Sequence, residues 1–139
     1  IEEGVIPGGG VTYLHASKIL DTMTADDADE QAGIKLVKEA LLMPMKTLAE
    51  NSGADGGAVA YQILEKNDKD WGFNALTLKF GNMLKEGVID PAKVAKHALK
   101  NAASVATMIL TTKVLITDVK EPKPAAPAAG GMGDMGGMM

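Results

Sequence analysis

Residues 71–93 read WGFNALTLKFGNMLKEGVIDPAK, and within them two kinds of periodicity meet. Trp71, Phe73, Leu76, Leu78 and Phe80 fall largely at alternate positions with Asn74-Ala75 between them, which predicts a small β-hairpin rather than a helix. Both phenylalanines and the single tryptophan of the chain lie here. A short helix is expected from Asn82 to Glu86, stopped by Gly87. Asp90-Pro91 then has the form of a helix start, with Asp at the cap and Pro at the first helical position.

The helix so started is expected to reach about Thr112, because Val94, Ala98, Ala102, Val105 and Ile109 share one face. Ala103 and Ala106 would let a neighbouring helix come close. Val114-Leu115-Ile116 reads as an edge strand. Beyond it the composition changes: EPKPAAPAA is a Pro/Ala linker and GGMGDMGGMM a Gly/Met tail, so residues 120–139 are expected to be disordered and 1–119 to carry the fold.

Upstream, Ile34, Val37, Leu41, Met45 and Leu48 recur at three- and four-residue steps, the clearest helical stripe in the sequence. Pro44 should kink it or mark a restart, and Asn51-Ser52-Gly53 should end it. Its start is signalled by the acidic loop DTMTADDADEQAG, whose carboxylates favour the positive end of the helix dipole. A shorter amphipathic segment carries Val59, Ile63 and Leu64. Near the N-terminus, Gly8-Gly9-Gly10 precedes a helix-forming run from Val11 to Leu20. Three glycines permit unusual dihedrals or close approach of another backbone or a ligand; a flexible turn is the plainer reading.

The bulk numbers fit one domain with a core: 139 residues, 46% apolar and 23% charged. Eighteen acidic against 14 basic residues give a net charge of −4, and every basic residue is Lys. No basic stripe speaks for nucleic acid, and no apolar run reaches the roughly 18 residues of a membrane span. Cysteine is absent, which removes disulfides and thiolate metal sites. The IEEG start, without an initiator Met, suggests a segment of something longer.

Little catalytic chemistry is visible. His15 and His97 have no His, Asp or Glu at i+3 or i+4, so no metal site is expected. His15, Ser17 and Asp21 crowd along one helix and cannot take up triad geometry. Met132, Met135, Met138 and Met139 could hold a soft metal such as Cu(I), or form an adaptable apolar surface. By spacing alone Asp90 is a helix cap and Asn74 a hairpin-turn residue.

In order along the chain, EEGVIPGGG, NSGADGGAV, WGFNALTLKFGNMLKEGVIDPAKV, ALKNAASVATMILTT and the GGM-type tail resemble the C-terminal portion of group I chaperonins, the GroEL type. The Gly/Met tail and the GFNA and IDPAKV stretches point to group I. The resemblance implies a mainly α fold: the helical bundle of the equatorial domain, with a small β-hairpin and an edge strand. It also implies an ATP site to which Gly8 and Gly9 present backbone, with Gly9 the matched position. Asn74, Ala75 and Leu76 lie on the adenine side, and Asp90 holds the ribose. The family usually has Ala where Leu76 stands, so contact there is expected through backbone; Phe73 and Trp71 also depart from the usual pattern.

The Mg ligands and catalytic aspartates of the family precede Ile1, so no catalytic residue is expected in this segment, which alone should not hydrolyse ATP. The implied intact protein encloses unfolded clients in heptameric rings of identical or homologous subunits under a co-chaperonin lid. PGGGVTYLH and EPKPAAP lean toward a plastid form and the tail toward bacterial or mitochondrial ones. The expected compartment is therefore the plastid stroma or bacterial cytoplasm, ahead of the mitochondrial matrix. The competing reading is a free-standing helical oligomerisation module that binds no nucleotide.

Overall fold

Local capping decides where the helices of this computed structural model begin; it describes residues 2–118. Asp27 caps α2 (Ala28–Asn51) by accepting from the Asp29 amide at 2.7 Å, with Asp29 and Glu30 in the first turn. Asp55 caps α3 (Gly56–Lys66) by accepting from the Ala58 amide at 2.8 Å, and Asn67 ends α3 in the left-handed region at φ 53°. Pro44 neither stops nor restarts α2, which runs through it with Pro44 on the exposed side. The N-terminal helical run divides into α1 (Val11–Ala16) and a 3₁₀ turn (Ser17–Thr22).

The expected hairpin forms, but its turn spans 75–78 rather than Asn74-Ala75, so that Leu76 and Leu78 lie in the turn and not in a strand. Strands β2 (Trp71–Asn74) and β3 (Lys79–Asn82) pair antiparallel, with Phe73 opposite Phe80. Trp71 stacks on Phe80 with ring centroids 4.9 Å apart, and Phe73 tilts against the same ring at 5.2 Å. Between the strands, Leu78 takes φ 56°, so the positive φ of this turn falls there rather than on Asn74.

One core joins these pieces. Val11 and Leu14 of α1, Met45 and Ala49 of α2, Val59, Ala60 and Ile63 of α3, Phe73 of the hairpin and Met83 beyond it are buried together. Gly72 lies against Val11 and Met83 with no space for a β-carbon.

Four expectations change. Residues 83–87 form hydrogen-bonded turns, not a helix: Val88 N–H donates to the Met83 carbonyl at 2.9 Å and Gly87 takes φ 73°, which turns the chain before a second helical turn can form. Asp90 does not cap the following helix; α4 (Ala92–Leu110) has Pro91 at its cap, without a side-chain hydrogen bond. Val114-Leu115-Ile116 is not a strand, because among the described residues no ladder pairs with it, and its side chains are exposed. The close helix neighbour that the alanines of α4 were expected to admit is missing among the described residues: only Ala95 of α4 is buried, while Val94, Val105 and Ile109 are exposed.

A strand pair absent from the sequence reading replaces the expected edge strand. β1 (Val5–Pro7) and β4 (Ile89–Pro91) run antiparallel, with Ile6 opposite Asp90. Hydrogen bonds from Gly8 N–H to the Val88 carbonyl (2.9 Å) and from Ala92 N–H to the Gly4 carbonyl (3.1 Å) extend the pairing at both ends. Tyr13 hydroxyl donates to the Ala95 carbonyl at 2.7 Å and holds the first turn of α4 to α1. Ion pairs Lys93–Glu2 and Lys96–Glu3 lie on the same seam; at such exposure they contribute little.

Candidate functional site

The β1–β4 pair is what brings the two ends of the chain to one place, and each of the three glycines there is required for a different reason. At Gly8, which is buried, a methyl group would stand 3.1 Å from the Ile89 nitrogen and 3.2 Å from the Val88 carbonyl carbon. Gly10 takes φ 77° and its missing β-carbon would meet the Met45 nitrogen at 2.7 Å, so it is where α1 closes onto α2. Gly9 takes φ 67°, but the nearest atoms to a β-carbon are the Phe73 carbonyl oxygen at 3.7 Å and Val88 Cγ1 at 3.8 Å. Of these three, only Gly9 combines a left-handed dihedral with neighbours no closer than ordinary van der Waals contact, so its glycine is required by conformation rather than by crowding.

Asp90 stands two residues from Val88 on the adjoining strand. Its main chain is engaged by β1, its side chain is exposed, and none of the three ion pairs among the described residues includes it. Freed from a capping role, this carboxylate can accept from ligand hydroxyls.

The hairpin turn borders Gly9 through the Phe73 carbonyl. Asn74 Oδ1 accepts from the Leu76 amide at 3.0 Å and the Thr77 amide at 3.3 Å, an Asx turn, while its Nδ2 donates to Glu86 Oε2 at 2.7 Å. Ala75 is half-buried against the core, and Leu76 is 92% exposed with its side chain in solvent. Gly8 and Gly9 thus meet Val88 and Ile89, the residues just before Asp90, while Asp90 itself lies opposite Ile6; Asn74, Ala75 and Leu76 follow Phe73, whose carbonyl borders Gly9. Sequence reasoning missed Glu86 and Val88. Val88 carried no local signal, and for Glu86 the one hint was Gly81, whose missing β-carbon makes room for it.

The remaining polar candidates are occupied in structural work. Ser17 hydroxyl donates to the Leu14 carbonyl at 2.7 Å and Asp21 pairs with Lys38, so no triad exists with His15. No group of three His, Cys, Asp or Glu among the described residues could hold a metal ion. No described helix is long and apolar enough to cross a membrane.

His15 Nε2 is buried without a hydrogen-bond partner. Burial, with Lys18 nearby, lowers its pKa below 6.5; a backbone hydrogen bond at Asp68 and the Asp68 and Asp70 carboxylates oppose this only in part. The folded state therefore resists a proton that the unfolded chain accepts, and stability falls as pH drops through 6.5 toward the lower folded value. In His15→Gln, the loss of thermal stability between about pH 7.5 and 5.5 should be smaller than in the parent. An equal loss would place the acid sensitivity elsewhere.

The sequence model of the TCP-1/cpn60 chaperonin family matches residues 1–120. The structure superposes on a group III chaperonin in the open state with a TM-score of 0.70 and 31% identity, covering 81% of this chain and 24% of that one. An open-state monomer of a group II chaperonin from Methanococcoides burtonii gives 0.69 and 28%, covering 78% and 28% respectively. The chain thus spans about a quarter of the length of either. Its helices and paired strands correspond to part of the chaperonin equatorial domain. The chain belongs to the TCP-1/cpn60 chaperonin family.

Proposed function

We propose that residues 1–119 are the C-terminal part of an equatorial ATP-binding domain and supply the base and ribose side of its nucleotide site, within an ATP-hydrolysing chaperonin that encloses unfolded proteins in a ring. The observation that carries this reading is the β1–β4 pair, which takes Asp90 out of a helix cap into extended backbone, directly after the Val88 and Ile89 that pack against Gly8 and Gly9. ATP fits these residues: Gly9 presents backbone without a side chain, and Asp90 accepts from the ribose hydroxyls. Asn74, Ala75 and Leu76 face the adenine, with Leu76 acting through its backbone.

Phosphoryl transfer depends on positioning phosphates, metal and water. The residues described here orient base and sugar; Mg and the catalytic carboxylates belong to residues outside this segment. Group I membership rests on GFNA, IDPAKV and the Gly/Met tail, and with it go the heptameric ring, the co-chaperonin lid and a plastid stromal or bacterial cytoplasmic address. MgATP titration of the full-length protein and its Asp90→Ala variant tests the site.

A second reading, a helical interaction module without nucleotide, draws support from α4. Between α2 and α4 runs an apolar groove of about 520 Å³, walled by Leu36, Val37, Pro44, Leu99, Ala102 and Leu110. In the chaperonin reading the same groove receives other parts of the domain. A polypeptide of these 139 residues should then bind a hydrophobic dye and show no ATP turnover above a contamination control. Turnover by the purified segment would refute the division of labour; a dye-silent, stable oligomer would favour the module.

A further inference from the structure

The side chain of Glu86 occupies a position that two independent features hold open for it. Its carboxylate sits over Gly81, inside contact distance of where a β-carbon would be, and it accepts from Asn74 Nδ2 at 2.7 Å. Gly72 and Gly81 are directly paired across the hairpin, and Asn74 lies two residues from Gly72 on the same face. The space over Gly72 is filled by Val11 and Met83, and it is the missing side chain of Gly81 that lets a residue from the following turn reach Asn74.

That contact fixes which way the Asn74 amide points. With Nδ2 held by a carboxylate, Oδ1 is directed at the Leu76 and Thr77 amides, and the turn closes with Leu78 at φ 56°, an uncommon conformation for a leucine. Gly81 itself has no positive φ, so alanine there strains no backbone and need only displace the end of a flexible side chain.

We propose that Glu86 is a positioning residue for the base side of the nucleotide site: seated over Gly81, it orients Asn74 and thereby sets the Ala75–Leu78 turn that faces the adenine. This rests on the ATP-site reading above. Glu86 touches no ligand in this role; it acts through Asn74.

The test uses the full-length protein and measures MgATP and MgGTP affinity by calorimetry for Glu86→Ala, Gly81→Ala, the double variant and Glu86→Gln. Either single change to Ala should weaken ATP binding about 3- to 10-fold, the scale of one hydrogen bond. The preference for ATP over GTP should fall with it, which a purely structural role would not produce. Glu86→Gln keeps an acceptor and should stay within about twofold. In the double variant the losses should not add, because both changes remove the same contact.

Unchanged ATP affinity in both single variants, or additive losses in the double, overturns the inference. Asp90→Ala serves as the control: if it weakens binding while the Glu86 and Gly81 variants do not, only the positioning role falls. If Asp90→Ala also has no effect, the nucleotide site itself is wrongly placed.

Discussion

Asp90→Ala in the full-length protein is expected to weaken MgATP binding by about 10- to 100-fold while leaving the melting temperature nearly unchanged. A ribose offers two adjacent hydroxyls, and hydrogen bonds to an ionised carboxylate contribute about 1.5–3 kcal/mol, with each 1.4 kcal/mol worth a factor of ten in affinity. Stability should hardly respond, since Asp90 contributes only its main chain to the fold, through β1, and alanine keeps that pairing. A helix-cap role predicts the reverse: unchanged affinity and a loss of roughly 1 kcal/mol. The structure already puts Pro91 at the cap of α4 without a side-chain bond. Asp90→Asn separates charge from hydrogen bonding, as the amide oxygen still accepts and affinity should fall by less. A normal ATP titration with a depressed melting temperature would return Asp90 to a structural role.

The case of Asp90 shows where local sequence signals give out. Asp-Pro is a strong start signal because it is read against the helix that follows, yet here a strand eighty residues upstream pairs with Ile89–Pro91 and takes Asp90 into extended backbone. Neither three-residue strand has length enough to display a period, so their pairing could not be read from either. By contrast the hairpin was legible as an element, since alternation and three aromatics favour strands, but its register was not: the turn spans 75–78 and pairs Phe73 with Phe80, not across Asn74-Ala75. The start of α2 was legible from its acidic loop, whereas the Asp55 cap of α3 was not read, although there too one side chain and its nearest amide decide it.

Apolar periodicity proved ambiguous at the C-terminal end. The stripe on α4 is real, and the structure leaves Val94, Val105 and Ile109 of that stripe exposed; periodicity reports that a face is suited to burial, not what covers it. Val114-Leu115-Ile116 is the same lesson in extended form, a β-prone run without a ladder among the described residues. Of the candidate site, the glycines announced a close approach but not its object. Gly8 meets β4, Gly10 meets α2, and Gly9 meets only Phe73 and Val88, at ordinary contact distance.

That division predicts that Gly10→Ala destabilises far more than Gly9→Ala, although both residues have positive φ and stand side by side. An L-residue in the left-handed region costs about 1 kcal/mol, and this is all that Gly9→Ala should lose, with its nearest neighbours at 3.7 and 3.8 Å. At position 10 the new methyl would lie 2.7 Å from the Met45 nitrogen and 2.9 Å from its α-carbon. Both belong to the backbone of α2 and cannot turn aside. Relief requires α1 to move off α2, which opens the core in which Leu14 of α1 and Met45 of α2 are both fully buried. Overpacking of this kind costs typically 1–3 kcal/mol beyond the dihedral penalty, so a total of about 2–4 kcal/mol is expected. In thermal unfolding this is a fall of roughly 6–12 °C for a domain of this size, against about 3 °C for Gly9→Ala. If Gly9 belongs to the proposed nucleotide site, titration should give the opposite ranking in the folded protein, because a methyl at Gly10 points into α2, away from that site. Equal losses of stability at the two positions would mean that α1 and α2 are not packed as closely as the Gly10–Met45 approach requires.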